Sequence, residues 1–317
     1  MKRLLDLDIA IGLAIIVVVL GHLKFDGNSL EEYLKLKKII YSFHMPLFMF
    51  FSGLLMSYTY KPLGNRKNYL NYIKKKVRKF IPAYLMFAII FLVLETLVDG
   101  FSKNQFKEDL IYTFVCPSKA PAGFLWYIYV LFLFYLVLPF LEWMANQNIL
   151  ILVFISIIFQ FIEVTHLFNL NLFSFYFLFI TLGIFANKYL KLYYTIVSKF
   201  GFIFLLLFGM LICFYPNPNL NKQIMGLASI PTIHFLAILL TKTKFKDHFS
   251  MVGRHSFYIY LMNTLVMGIL FIIINKYLKI KVSYFLLLFL FLSGVYLPII
   301  IYKYLIKKTP LLNRIIL

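Results

Sequence analysis

Apolar residues along this chain run in near-continuous blocks, each about as long as a bilayer is thick, with no sustained one-face periodicity. The blocks fall near residues 6–23, 39–60, 80–98, 124–142, 149–166, 170–187, 200–215, 223–241, 256–275 and 283–303. A helix needs about 20 apolar residues to cross the hydrocarbon, so the pattern predicts about ten transmembrane helices. The blocks at 149–166 and 170–187 are the hardest to divide, with only a few residues around Asn169 between them. No connection is long enough for a soluble domain, and no linker, low-complexity tract or repeat interrupts the series. The expectation is an all-α, polytopic integral membrane helix bundle forming a single domain over residues 1–317.

Composition agrees. The chain has 317 residues, of which 62% are hydrophobic and 14% charged, and its mean hydropathy is +0.86. A soluble domain carries roughly a quarter charged residues. The formal charge is +20, but the basic residues sit between apolar blocks. That placement argues for membrane lipids, and against nucleic acid, as the partner of the charge. With the N-terminus in the cytoplasm, 21 of the 32 Lys and Arg residues fall on the inner side, eight of them in 61–79. Both termini are therefore expected to be cytoplasmic. The N-terminal run has no small-residue cleavage site, and Asp6 and Asp8 precede it, so it reads as a retained first helix. Cys116 and Cys213 suit packing.

Ionisable residues inside apolar blocks are costly and are functional candidates by default. His22 ends the first block and His44 opens the second, joined by a short connection and expected at matching depth on the outer side. Two imidazoles there suit general-base work, since neutral His titrates near pH 6.5; the alternative is a pair of hydrogen-bonded structural residues. Asp8 and Ile11 share a helical stripe with His22, and Asp8 also suits the first turn of a helix. No His/Cys spacing supports zinc, and no metal is expected. The run Lys74, Lys75, Lys76, Arg78 and Lys79 has two readings. One is topology plus lipid headgroups; the other is a cytoplasmic site for a phosphorylated donor.

Three segments resemble the acyltransferase-3 family, membrane proteins that acylate sugars of bacterial surface polysaccharides. LDLDIAIGLAIIVVVLGH is similar to the opening helix that ends in a functional His. IIYSFHMPLFMFFSGLLM is the most specific, with Phe43-His44-Met45-Pro46 and Phe51-Ser52-Gly53. KKKVRKFIPAYL is similar to a basic run before Pro82. Weaker likenesses follow in family order: FLWYIYVLFLFYLVLP, FYFLFITLGIFAN and VGRHSFYIYLMN. Two positions depart from the family pattern: Ile11 stands where many members carry Arg or Lys, and Asn263 where many carry His.

The resemblance implies transfer of an acetyl or other short acyl group from acyl-coenzyme A, a co-substrate, to a hydroxyl of a surface carbohydrate. It implies that His22 is catalytic. Lys74, Lys75, Arg78 and Lys79 are then the donor-binding residues. It implies a multi-pass protein of a bacterial inner or plasma membrane. In the mechanism we prefer from the two rings, His44 positions the acceptor or stabilises developing charge. His166, His234 and His248 lie outside the motifs and His255 falls only in the weak VGRHSFYIYLMN likeness; replacement of any of the four is expected to leave most activity. The rival reading is a transporter that exports a glycan or a lipid-linked intermediate.

Overall fold

The computed structural model describes residues 4–23, 31–213, 222–280 and 282–316. Lys2, Arg3, Lys24 and Lys281, counted in the charge balance, lie outside them. Every regular element among the described residues is helical. Eight helices are long and apolar enough to cross a membrane. The helices group into two compact units, residues 1–51 with 189–305 and residues 52–188 with 306–317.

The first unit contains α1 (Leu5–Gly21), residues 31–51 of α2 (Glu31–Tyr58), α7 (Leu190–Cys213), α8 (Lys222–Leu240), α9 (Lys246–Arg254), α10 (Ser256–Ile272) and α11 (Tyr284–Ile301). Helix α1 packs on α8, α9, α10 and α11. Its apolar residues are buried on several faces, with Leu7, Ile9, Ala10, Ala14, Ile15 and Val19 nearly inaccessible. A helix hydrophobic all round belongs at the centre of a bundle. Small residues let a neighbour come close: a Cβ on Gly253 of α9 would meet the Asp8 carbonyl and the Gly12 backbone of α1. This is the small-residue contact by which membrane helices gain dispersion energy.

The second unit contains the end of α2, α3 (Arg66–Asp99), α4 (Lys103–Val115), α5 (Trp126–Ile158), α6 (Leu170–Lys188) and α12 (Pro310–Ile316). Helix α3 begins well before the predicted block at 80–98. Lys and Arg are good helix formers, and the Asn65 side chain caps the start by accepting from Asn68 N. The blocks predicted at 124–142 and 149–166 join in α5, which is broken at Asn148, where the backbone is extended (φ −158°, ψ 106°). The Asn148 side chain accepts from Leu150 N at 2.9 Å, restarting the helix as a cap does.

The two parts of α5 run along α6 in opposite senses. Trp126, at the start of α5, stacks on Tyr176, and Ala145 O, near the end of its first part, accepts from Lys188 Nζ, so the first part runs with α6. Beyond Asn148 the chain returns: Gln160 Nε2 donates to Phe175 O at 3.0 Å, and Ser174 Oγ to Phe159 O at 2.8 Å. The returning helix ends at Ile158, so it is only about 15 Å long. That is half the thickness of the hydrocarbon, too short to cross it alone.

Candidate active site

His22 caps the C-terminus of α1 and is half-buried. His44 lies inside α2, buried, two residues before Pro46. Gly21 permits their approach, because a Cβ there would come within 2.8 Å of the Ile40 side chain. The two imidazole centroids are 6.1 Å apart and nearly perpendicular, and Tyr41 lies 5.8 Å from His22 and 5.0 Å from His44.

Both rings use the same nitrogen in the same way. His22 Nδ1 is 2.8 Å from Val18 O, and His44 Nδ1 is 2.8 Å from Ile40 O, each one helical turn back. A carbonyl only accepts, so this geometry assigns the hydrogen to Nδ1 and leaves the lone pair of the neutral ring on Nε2. Each histidine is thereby fixed in one tautomer, with Nε2 as its basic atom.

The basic run of α3 lines a cavity of about 590 Å³ in the second unit. The lining includes Lys61, Lys75, Lys76 and Lys79, the tyrosines 60, 72 and 135, and Asn68 and Asn71, with no carboxylate among the lining residues. Lys76 Nζ sits 3.7 Å from the centroid of the Tyr135 ring and 5.3 Å from that of Tyr72, a cation–π arrangement that holds the ammonium in place. Pro139 of α5 has no N–H for the Tyr135 carbonyl one turn earlier. Tyr72 OH donates to that carbonyl instead, at 3.2 Å.

Of the four predicted donor-binding residues, Lys75 and Lys79 line this cavity, whereas Lys74 and Arg78 do not; all four are exposed. Helical geometry explains the division. Positions 72, 75, 76 and 79 form one stripe facing α5, and 74 and 78 fall on the other side of α3. Lys61 came from a separate segment and could be found only in the fold.

A buried cluster in the first unit was not legible. His234 is inaccessible, its Nε2 2.8 Å from Asp6 Oδ2 and its Nδ1 2.7 Å from Tyr193 OH. Tyr194 OH donates to the same Asp6 oxygen. Pro231 and Thr232, close by in α8, gave no warning of it. Asn263 is buried and satisfied within α10, its amide donating to Ile259 O and Tyr260 O. Ile11 is half-buried on α1.

No curated protein and no solved structure matches the chain. The family model for the acyltransferase domain matches residues 4–310, nearly its whole length. The chain therefore belongs to the acyltransferase-3 family and is a multi-pass membrane acyltransferase.

Proposed function

We propose that this acyltransferase moves a short acyl group, acetyl first among them, from acyl-coenzyme A to a hydroxyl of an envelope glycan. Residues 1–317 form one functional domain in a bacterial plasma membrane, with both termini cytoplasmic. The observation that carries the choice of donor is the α3 cavity: four lysines, no carboxylate, and tyrosine and asparagine side chains around them. Clustered ammonium groups bind phosphates through charge-assisted hydrogen bonds. The aromatic and amide groups beside them suit a nucleotide base, so the cavity fits a phosphorylated nucleotide better than a bare lipid headgroup.

His22 is the general base. Its Nε2 takes the proton as the glycan oxygen bonds to the thioester carbonyl carbon. The tetrahedral intermediate then breaks its C–S bond, and the imidazolium returns the proton to the departing sulfur, leaving a free thiol. His44, held in the same tautomer, positions the acceptor or stabilises developing charge. The family makes the chain an acyltransferase, which leaves the export reading without support.

The test is transfer of label from acetyl-coenzyme A to glycan in membranes containing the protein. His22→Ala is expected to lower transfer by about 10²- to 10⁴-fold, the usual range for removing a general base. Near-normal transfer by His22→Ala at equal protein level would show that the base lies elsewhere.

A further inference from the structure

The second unit contains another cavity, of about 620 Å³, formed where the returning part of α5 turns into α6. Its walls carry the hydrogen-bonding side chains Gln160, Glu163, Thr165, His166, Asn171 and Ser174, with the rings of Phe159 and Phe175 among them. No Lys or Arg lines it. The charge is the reverse of the α3 cavity's: one carboxylate and no lysine, among amide, hydroxyl and aromatic groups.

Two further observations mark this turn as built for a ligand. Asn171 Oδ1, in the cavity wall, is enclosed and has no hydrogen-bond partner among the described residues; Asn169 Nδ2 behind it is in the same state. An unpaired enclosed polar atom costs about 1–3 kcal/mol, so such atoms call for an explanation. The backbone is also strained. Phe168 and Asn169 both have left-handed φ, 55° and 52°, a conformation costly for a bulky side chain. Asn169 is wholly buried and is held by Ser118 Oγ, which donates to its Oδ1 at 3.0 Å. The strained turn is therefore fixed in place from α4's side of the unit.

The cavity's position supplies the last premise. It opens at the first turns of α6, lined by Asn171, Ser174 and Phe175. At the far end of the same helix, Asn187 Nδ2 donates to Ser57 Oγ at 2.8 Å, beside Met56, Thr59 and Tyr60 of the α3 cavity. The 13 residues from Ser174 to Asn187 rise about 20 Å. The two polar cavities of the unit thus occupy opposite ends of one membrane helix. If the lysine-rich end is cytoplasmic, the second cavity faces the outside.

We propose that this outer cavity is a binding subsite for the carbohydrate acceptor, with Asn171 and Glu163 hydrogen-bonding sugar hydroxyls and Phe159 and Phe175 packing against ring C–H faces. It takes a neutral or amino sugar, since it presents no cation to an anionic one. The inference rests on the glycan reading above and adds where the glycan sits. It also gives His166, which the motifs left out, a place in the site.

Two measurements test it. In a Cys213→Ser background, Glu163→Cys is exposed to a membrane-impermeant maleimide in intact cells. Rapid labelling is expected; labelling only after the cells are opened overturns the outward placement. Next, Glu163→Gln/Asn171→Ala is assayed in membranes for label transfer from acetyl-coenzyme A to glycan, and in detergent for acetyl-coenzyme A binding. Transfer should fall at least tenfold with donor binding unchanged. Transfer equal to that of the parent chain overturns the subsite, and so does loss of donor binding in parallel with transfer. Asn171→Gln, which keeps the amide, should recover more transfer than Asn171→Ala; equal loss in both would mean that the residue serves folding alone. A parent chain that labels no glycan would sink the acceptor reading itself, a result distinct from failure of the subsite.

Discussion

At the scale of single residues, the histidines separate by what their nitrogens touch. His22 and His44 each spend Nδ1 on a carbonyl of their own chain segment, which puts the lone pair of the neutral ring on Nε2. His234 uses both nitrogens internally, on Asp6 and Tyr193. His248 lies at an exposed position, its Nε2 3.0 Å from Tyr296 OH. From the sequence His234 and His248 looked equivalent, because Asp6 is 228 residues away from its partner and no local spacing links them. Their replacements should differ. His234→Ala leaves the Asp6 carboxylate without its buried partner, and breaking such a pair typically costs about 3–5 kcal/mol. Its melting temperature in detergent should fall by many degrees, while His248→Ala stays near the parent value. Equal melting temperatures would show that the Asp6–His234 contact contributes nothing to the fold.

At the scale of elements, apolar block length located the long helices, since few other arrangements satisfy a backbone in lipid, but it read 149–166 as a crossing where the helix beyond Asn148 ends at Ile158. Among the described residues α4, α9 and α12 escaped it. Helix α4 (Lys103–Val115) is polar along much of its length, and α9 (Lys246–Arg254) mixes charge with the buried Val252 and Gly253. Block length cannot see a short helix stabilised by packing. Nor could it show which face of α3 matters: the basic run reads the same on every face until α5 is known to lie against Tyr72, Lys75, Lys76 and Lys79. The α1–α9 contact gives a direct check on packing. Gly253→Ala pushes a methyl into the α1 backbone and should cost about 1–3 kcal/mol, the usual range for overpacking. Gly209 of α7 has open space around its Cβ position, so Gly209→Ala should be neutral or stabilising by up to about 1 kcal/mol. Detergent melting curves of the two variants decide; a Gly253→Ala protein as stable as Gly209→Ala would mean that the close contact is not required.

At the scale of the whole molecule, the charge balance predicts an orientation for the chain, and the α3 cavity lies beside the group of residues that dominates it. The eight Lys and Arg of residues 61–79 are the largest basic group in any connection, and three of the four lysines of the α3 cavity lie on α3 itself. Reporter fusions at residue 68 and at the C-terminus should both register cytoplasm; an external signal at either would reverse the side on which His22 is expected.

The central claim is that a phosphorylated acyl donor is held by the inward stripe of α3, and acetyl-coenzyme A binding to the purified full-length protein tests it most directly. Lys76→Gln/Lys79→Gln removes two charge-assisted contacts, each typically about 1.5–3 kcal/mol, so affinity should fall on the order of 100-fold or more. Lys74→Gln/Arg78→Gln removes the same charge from the opposite face of the same helix and should leave affinity within a few-fold of the parent. If the two double variants lose affinity equally, the lysines act only as a diffuse field. If the Lys74/Arg78 variant alone loses it, the donor binds on the other face of α3, and the cavity assignment is wrong.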